Sequence, residues 1–158
     1  MGGTRSGKSK FAEEMFKDQA IPVTYVATAT QVDANMAKRI QLHQQRRSSQ
    51  GWKTIEFQKG QDLAHIVSID SPILLDSIGT WLASFDNFEV DIDPLCEVLA
   101  NREFISVVVS EEVGLSVHPV SSSGRQFIDV LGQTNQRLAQ VAEKVFLVIA
   151  GQALVIKE

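Results

Sequence analysis

The chain has 158 residues, 44% of them hydrophobic, which is the size of one domain with enough apolar side chains to bury a substantial core. Lys and Arg number 15 against 19 Asp and Glu, a net charge of −4, and no basic run exceeds Arg46-Arg47. This excludes the cationic stripe that nucleic-acid binding requires. A single cysteine, Cys96, excludes an intrachain disulfide, and no apolar run is long enough to span a bilayer. The expectation is one domain over residues 1–158, reduced and cytoplasmic, with no membrane insertion and no nucleic-acid partner.

At the start, Gly2-Gly3-Thr4-Arg5-Ser6-Gly7-Lys8-Ser9 fits G-x-x-x-x-G-K-[ST], the pattern of a phosphate loop. Its glycines let backbone N–H groups turn inward around phosphates, and the helix that follows points its positive end at them. Lys8 is then placed to reach the β/γ oxygens and Ser9 to ligate Mg²⁺. Phe11, Ala12, Met15 and Phe16 recur at helical spacing, predicting an amphipathic helix to about Asp18. Such a loop normally follows a buried strand, yet only Met1 precedes Gly2, so the first strand is expected to be missing.

After Pro22, Val23 to Thr28 reads as a strand, and the polar stretch from Asp33 to Gln50, with Met36, Ile40 and Leu42, as a surface helix. Trp52 to Phe57 predicts a short strand, Gln61 to Val67 a short helix, and Pro72 to Asp76 a buried strand ending in a carboxylate. A loop over Phe85 to Pro94 precedes a helix from about Leu95 to Asn101, and Phe104 to Ser110 is another buried strand. The segment from Gly114 to Gly124, with Pro119 and three serines, predicts an exposed connection to a long helix over Arg125 to Glu143. Two closing strands, Val145 to Ala150 and Ala153 to Lys157, flank Gly151. Repeated βα units favour an α/β fold with a mostly parallel sheet covered by helices on both faces.

Asp76, at the carboxyl end of an apolar strand, sits where open α/β sheets present ligand groups, so it is a candidate for Mg²⁺ or its water. The alternative is a strand-terminal Asp that caps the Ser77-Ile78 turn. Glu111-Glu112 holds the same topological position after the next strand, either near Mg²⁺ or substrate or as a solvated acidic turn. His43 lies among Gln41, Gln44, Gln45, Arg46 and Arg47. A neutral imidazole there could attack an α-phosphorus, with the guanidinium groups neutralising charge on the transferring group, or it could be a plain surface histidine. His65 and His118 carry only the second reading.

Together these segments resemble the bifunctional adenosylcobinamide kinase / adenosylcobinamide-phosphate guanylyltransferase family. The matching pieces are GGTRSGKS with FAEEM, YVAT at Tyr25 to Thr28, MAKRIQLHQQRR from Met36 to Arg47, WKTIE at Trp52 to Glu56, ILLDSIGTW from Ile73 to Trp81, EVG at Glu112 to Gly114, and TNQRLA at Thr134 to Ala139. The resemblance implies a RecA-like P-loop NTPase fold, often a trimer. It also implies phosphorylation of adenosylcobinamide by ATP or GTP, then transfer of GMP from GTP to adenosylcobinamide phosphate through a guanylylated His43. By the same matching Thr28 would lie near the nucleotide, Arg47 and Glu56 would bind guanylyl parts, and Asp76 would serve Mg²⁺ or base contacts. At Glu111 the resemblance leads one to expect asparagine. Two other readings stay open: a P-loop phosphotransferase or NTPase acting on another small molecule, and an inactive truncated homologue.

Overall fold

A computed structural model describes residues 1–28, 51–115 and 117–158. The predicted surface helix over Asp33 to Gln50, and with it His43, Arg46 and Arg47, lies outside the described residues. The first helix, α1, runs Lys8–Glu14 and unwinds into turns that reach Asp18, so the amphipathic stretch is helical only over its first half. Strands β1 (Thr24–Ala27), β2 (Lys53–Glu56), β3 (Ile73–Asp76) and β4 (Ser106–Val109) form an all-parallel sheet in the order β2-β1-β3-β4. In register, Glu56 pairs with Ala27, Ala27 with Asp76, and Asp76 with Val109, so the strands end level with one another.

The pleat sorts the core. Val26, Ile73 and Leu75 point to one face and pack under the helices α2 (Ile78–Leu82), α3 (Asp93–Asn101) and α4 (Ser122–Val141). Tyr25, Leu74 and Val109 point to the other face and meet Ala12 and Phe16 of α1 and the turn after it. The two central strands, β1 and β3, are therefore covered on both faces, which is why Ile73-Leu74-Leu75 reads as a continuous apolar run, whereas β2 is mostly exposed and β4 half-buried except at Val109. Helix α2 was not anticipated from the sequence; it replaces the simple turn expected after Asp76. A 3₁₀ helix over Leu63–Ser68 stands where a short helix was expected, started by Asp62 accepting from the Ala64 N–H at 2.8 Å. Another, Asp86–Phe88, interrupts the predicted loop before α3.

The closing strands β5 (Val145–Ile149) and β6 (Gln152–Lys157) form an antiparallel hairpin whose turn residues Ala150 and Gly151 both have positive φ, 51° and 78°. The hairpin does not pair with β4. Between them lies a cleft of about 570 Å³, lined by Met15, Phe104, Val107, Leu138 and Phe146 among others. Among the described residues, Met1 and Gly2 bridge it. The Gly2 N–H donates to Ser110 O at 3.2 Å and the Glu112 N–H to Gly2 O at 3.0 Å on one side. On the other, the Val148 N–H donates to Met1 O at 2.8 Å and the Met1 ammonium to Phe146 O at 2.7 Å. Met1 and Gly2 thus form a two-residue stub, parallel to both neighbours, that holds the mouth of the phosphate loop in the sheet.

Candidate functional site

The loop Gly2 to Ser9 leaves the stub at the carboxyl ends of the strands and turns straight into α1. Gly7 caps that helix at φ 97°, a left-handed conformation, and a Cβ there would press on the Gly151 backbone at 3.1 Å. The loop closes on itself through the Ser6 N–H to Gly3 O at 3.2 Å, and on the hairpin through the Gly151 N–H to Ser6 O at 2.8 Å. Lys8 folds back over it, donating to Gly3 O at 3.3 Å and standing 3.8 Å from Glu111 Oε1. The hydroxyl of Ser6 is shielded from solvent with no partner among the described residues. Burial, and secondarily Lys8, hold the Met1 ammonium below its usual pKa of 8.0. The loop thus gathers a lysine and an unpartnered hydroxyl next to a helix N-terminus, the arrangement that receives phosphate.

Beside it, the end of β3 carries Asp76, whose Oδ2 accepts from Tyr25 OH at 3.1 Å. The next peptide, Asp76–Ser77, is cis. Thr28 is buried, and its hydroxyl is spent on this turn. It donates to Ser77 O at 2.6 Å, accepts from the Ser77 N–H at 2.8 Å, and lies 2.7 Å from Thr80 Oγ1. These bonds fix the β3–α2 turn. Glu56 ends β2 at the same level, exposed and two strands from Asp76, roughly 10 Å away by inter-strand spacing.

Glu111 is the residue that the sequence left most open and the structure defines best. Its Oε1 accepts from Ser77 Oγ at 2.8 Å and its Oε2 from the Gly79 N–H at 2.9 Å. Its backbone carbonyl accepts from Asn135 Nδ2 at 3.0 Å, and Asn135 Oδ1 pairs with Ser110 Oγ at 2.5 Å. The NQRLA segment of α4 is thereby tied to the end of β4. Sequence reasoning missed the Ser77–Thr80–Gly79 turn that receives Glu111; the only available signal was the Ser-x-x-Thr spacing at a helix start. Among the described residues no group of three or more His, Cys, Asp or Glu side chains could hold a metal ion. Ser9 and Asp76 offer hard oxygen donors of the kind that supplement a phosphate-borne cation. No helix among the described residues is long and apolar enough to cross a membrane.

The family model described as cobinamide kinase / cobinamide phosphate guanyltransferase matches residues 1–156. The bifunctional adenosylcobalamin biosynthesis protein CobU of Escherichia coli (strain K12) is 35% identical over 178 residues, covering 99% of this chain and 97% of its own. CobU of Salmonella typhimurium (strain LT2) is 34% identical over 177 residues, with the same coverage of 99% and 97%. CobP of Pseudomonas aeruginosa is 30% identical over 169 residues, 99% of this chain and 95% of its own. With the phosphate loop, the parallel sheet and a family match that leaves out only the last two residues, the chain belongs to the cobinamide kinase / cobinamide phosphate guanyltransferase family.

Proposed function

We propose that this chain phosphorylates adenosylcobinamide with ATP or GTP and then transfers GMP from GTP to adenosylcobinamide phosphate, giving adenosylcobinamide-GDP. The observation that carries the reading is the loop Gly2 to Ser9, folded at the carboxyl edge of a parallel sheet with Lys8 turned over it, in a chain that belongs to this family. In the kinase step the loop amides and Lys8 hold the transferring phosphate, and their charge offsets what develops on its oxygens. Ser9 and Asp76 are the residues that would hold Mg²⁺, which when bound neutralises charge on the phosphates.

In the transferase step His43 is the nucleophile. A ring nitrogen bonds to the α-phosphorus of GTP as the bond to the bridging β-phosphate oxygen breaks, and pyrophosphate leaves. A phosphate oxygen of adenosylcobinamide phosphate then attacks the same phosphorus, the N–P bond breaks and the imidazole is regenerated. Arg46, Arg47 and Glu56 serve the guanylyl group in this reading. Incubating the purified chain with GTP, Mg²⁺ and adenosylcobinamide phosphate, and following products by liquid chromatography and mass spectrometry, tests it. Stoichiometric adenosylcobinamide-GDP and pyrophosphate are expected. GTP hydrolysis to GDP and phosphate without nucleotidyl transfer would instead support a phosphotransferase acting on another small molecule.

A further inference from the structure

We propose that Glu111 makes this phosphate loop discriminate between metal-complexed and bare nucleotide. The inference rests on the reading that nucleotide phosphates seat on the loop. Lys8, the cation folded back over the loop, has a side chain only 13% exposed, and its neighbours are Gly3 O at 3.3 Å and the Glu111 carboxylate at 3.8 Å. A phosphate drawn to Lys8 therefore arrives alongside a carboxylate.

That carboxylate is not free to swing aside. Ser77 Oγ holds one oxygen at 2.8 Å and the Gly79 N–H holds the other at 2.9 Å, while Asn135 fixes the backbone behind it at 3.0 Å. The carboxylate lies against the Gly79 backbone, where a Cβ would overlap Glu111 Oε2. Rotation away from the loop would break both hydrogen bonds and leave the Gly79 N–H without an acceptor, a cost comparable to the repulsion it would relieve. A triphosphate without a cation therefore meets a fixed like charge in a partly shielded site, where such repulsion is weakly screened. A divalent cation on the phosphates removes most of that repulsion. Glu111 thus penalises bare nucleotide selectively.

The test is calorimetric titration of the full chain with GTP, once in EDTA and once in excess Mg²⁺, for wild type, Glu111→Gln and Glu111→Asp. Thermal melts establish that each variant is folded. Glu111→Gln keeps the shape and an acceptor but removes the charge. It is expected to bind bare GTP about tenfold more tightly while its affinity for the Mg²⁺ complex moves by less than about threefold, so the metal preference shrinks. Glu111→Asp, which retains the charge, is expected to keep the wild-type preference. If Glu111→Gln leaves the ratio of the two affinities unchanged, or weakens both forms equally, Glu111 only holds the turn and the inference is overturned. Glu111→Asn carries the same comparison should the Gln variant fail to fold. A wild-type chain that binds no Mg²⁺-complexed GTP would overturn the loop reading itself, and this inference with it.

Discussion

Single side chains in this protein do much of the work that longer elements do elsewhere. Arg102 follows α3 and donates from Nη1 to Ile66 O at 2.7 Å, from Nη2 to Ile69 O at 2.9 Å and Ser71 O at 2.7 Å, and from Nε to Ser106 Oγ at 3.1 Å. One guanidinium thus ties the 3₁₀ helix, the entry to β3 and the start of β4 together. Its planar fork suits three carbonyls at once, which a lysine cannot match. Replacing Arg102 by Ala strands those carbonyls, and the expected loss is about 2 kcal/mol in urea unfolding, with Lys recovering only part. An unchanged midpoint would mean that solvent satisfies the carbonyls equally well. In the sequence, Arg102 looked like any charged residue past a helix end, since nothing local encodes partners some thirty residues away. The same holds for Tyr25 with Asp76 and for Thr28 with Ser77, whose pairing depends on β1 and β3 lying side by side.

Among the elements, β3 and β4 were legible because Ile73-Leu74-Leu75 and Val107-Val108-Val109 are continuous apolar runs suited to a covered parallel sheet, although β4 is fully buried only at Val109. The phosphate loop was legible because its glycines and Lys8 are spaced by the geometry of phosphate binding. Strand order was not, because β2 reaches its place beside β1 through residues whose local pattern says nothing about which edge they join. Helix α2 escaped notice because five residues give too little periodicity to register. Among the described residues, β4 and β5 face each other across a cleft that Met1 and Gly2 span at one end.

For the molecule as a whole, the sheet brings the phosphate loop, Asp76, Glu111 and Glu56 to one edge, in a chain of the cobinamide kinase / cobinamide phosphate guanyltransferase family. In the proposed reading Lys8 and the loop serve the kinase half. In the proposed reading the transferase half turns on His43, a role that the family resemblance around MAKRIQLHQQRR implies and that the chemistry of a neutral imidazole permits. The most direct measurement is therefore intact and peptide mass spectrometry of the chain after incubation with GTP and Mg²⁺. The account predicts a GMP adduct on His43 that survives base, is lost in acid, and is absent from His43→Ala. Bound GTP with no adduct on His43 would contradict it.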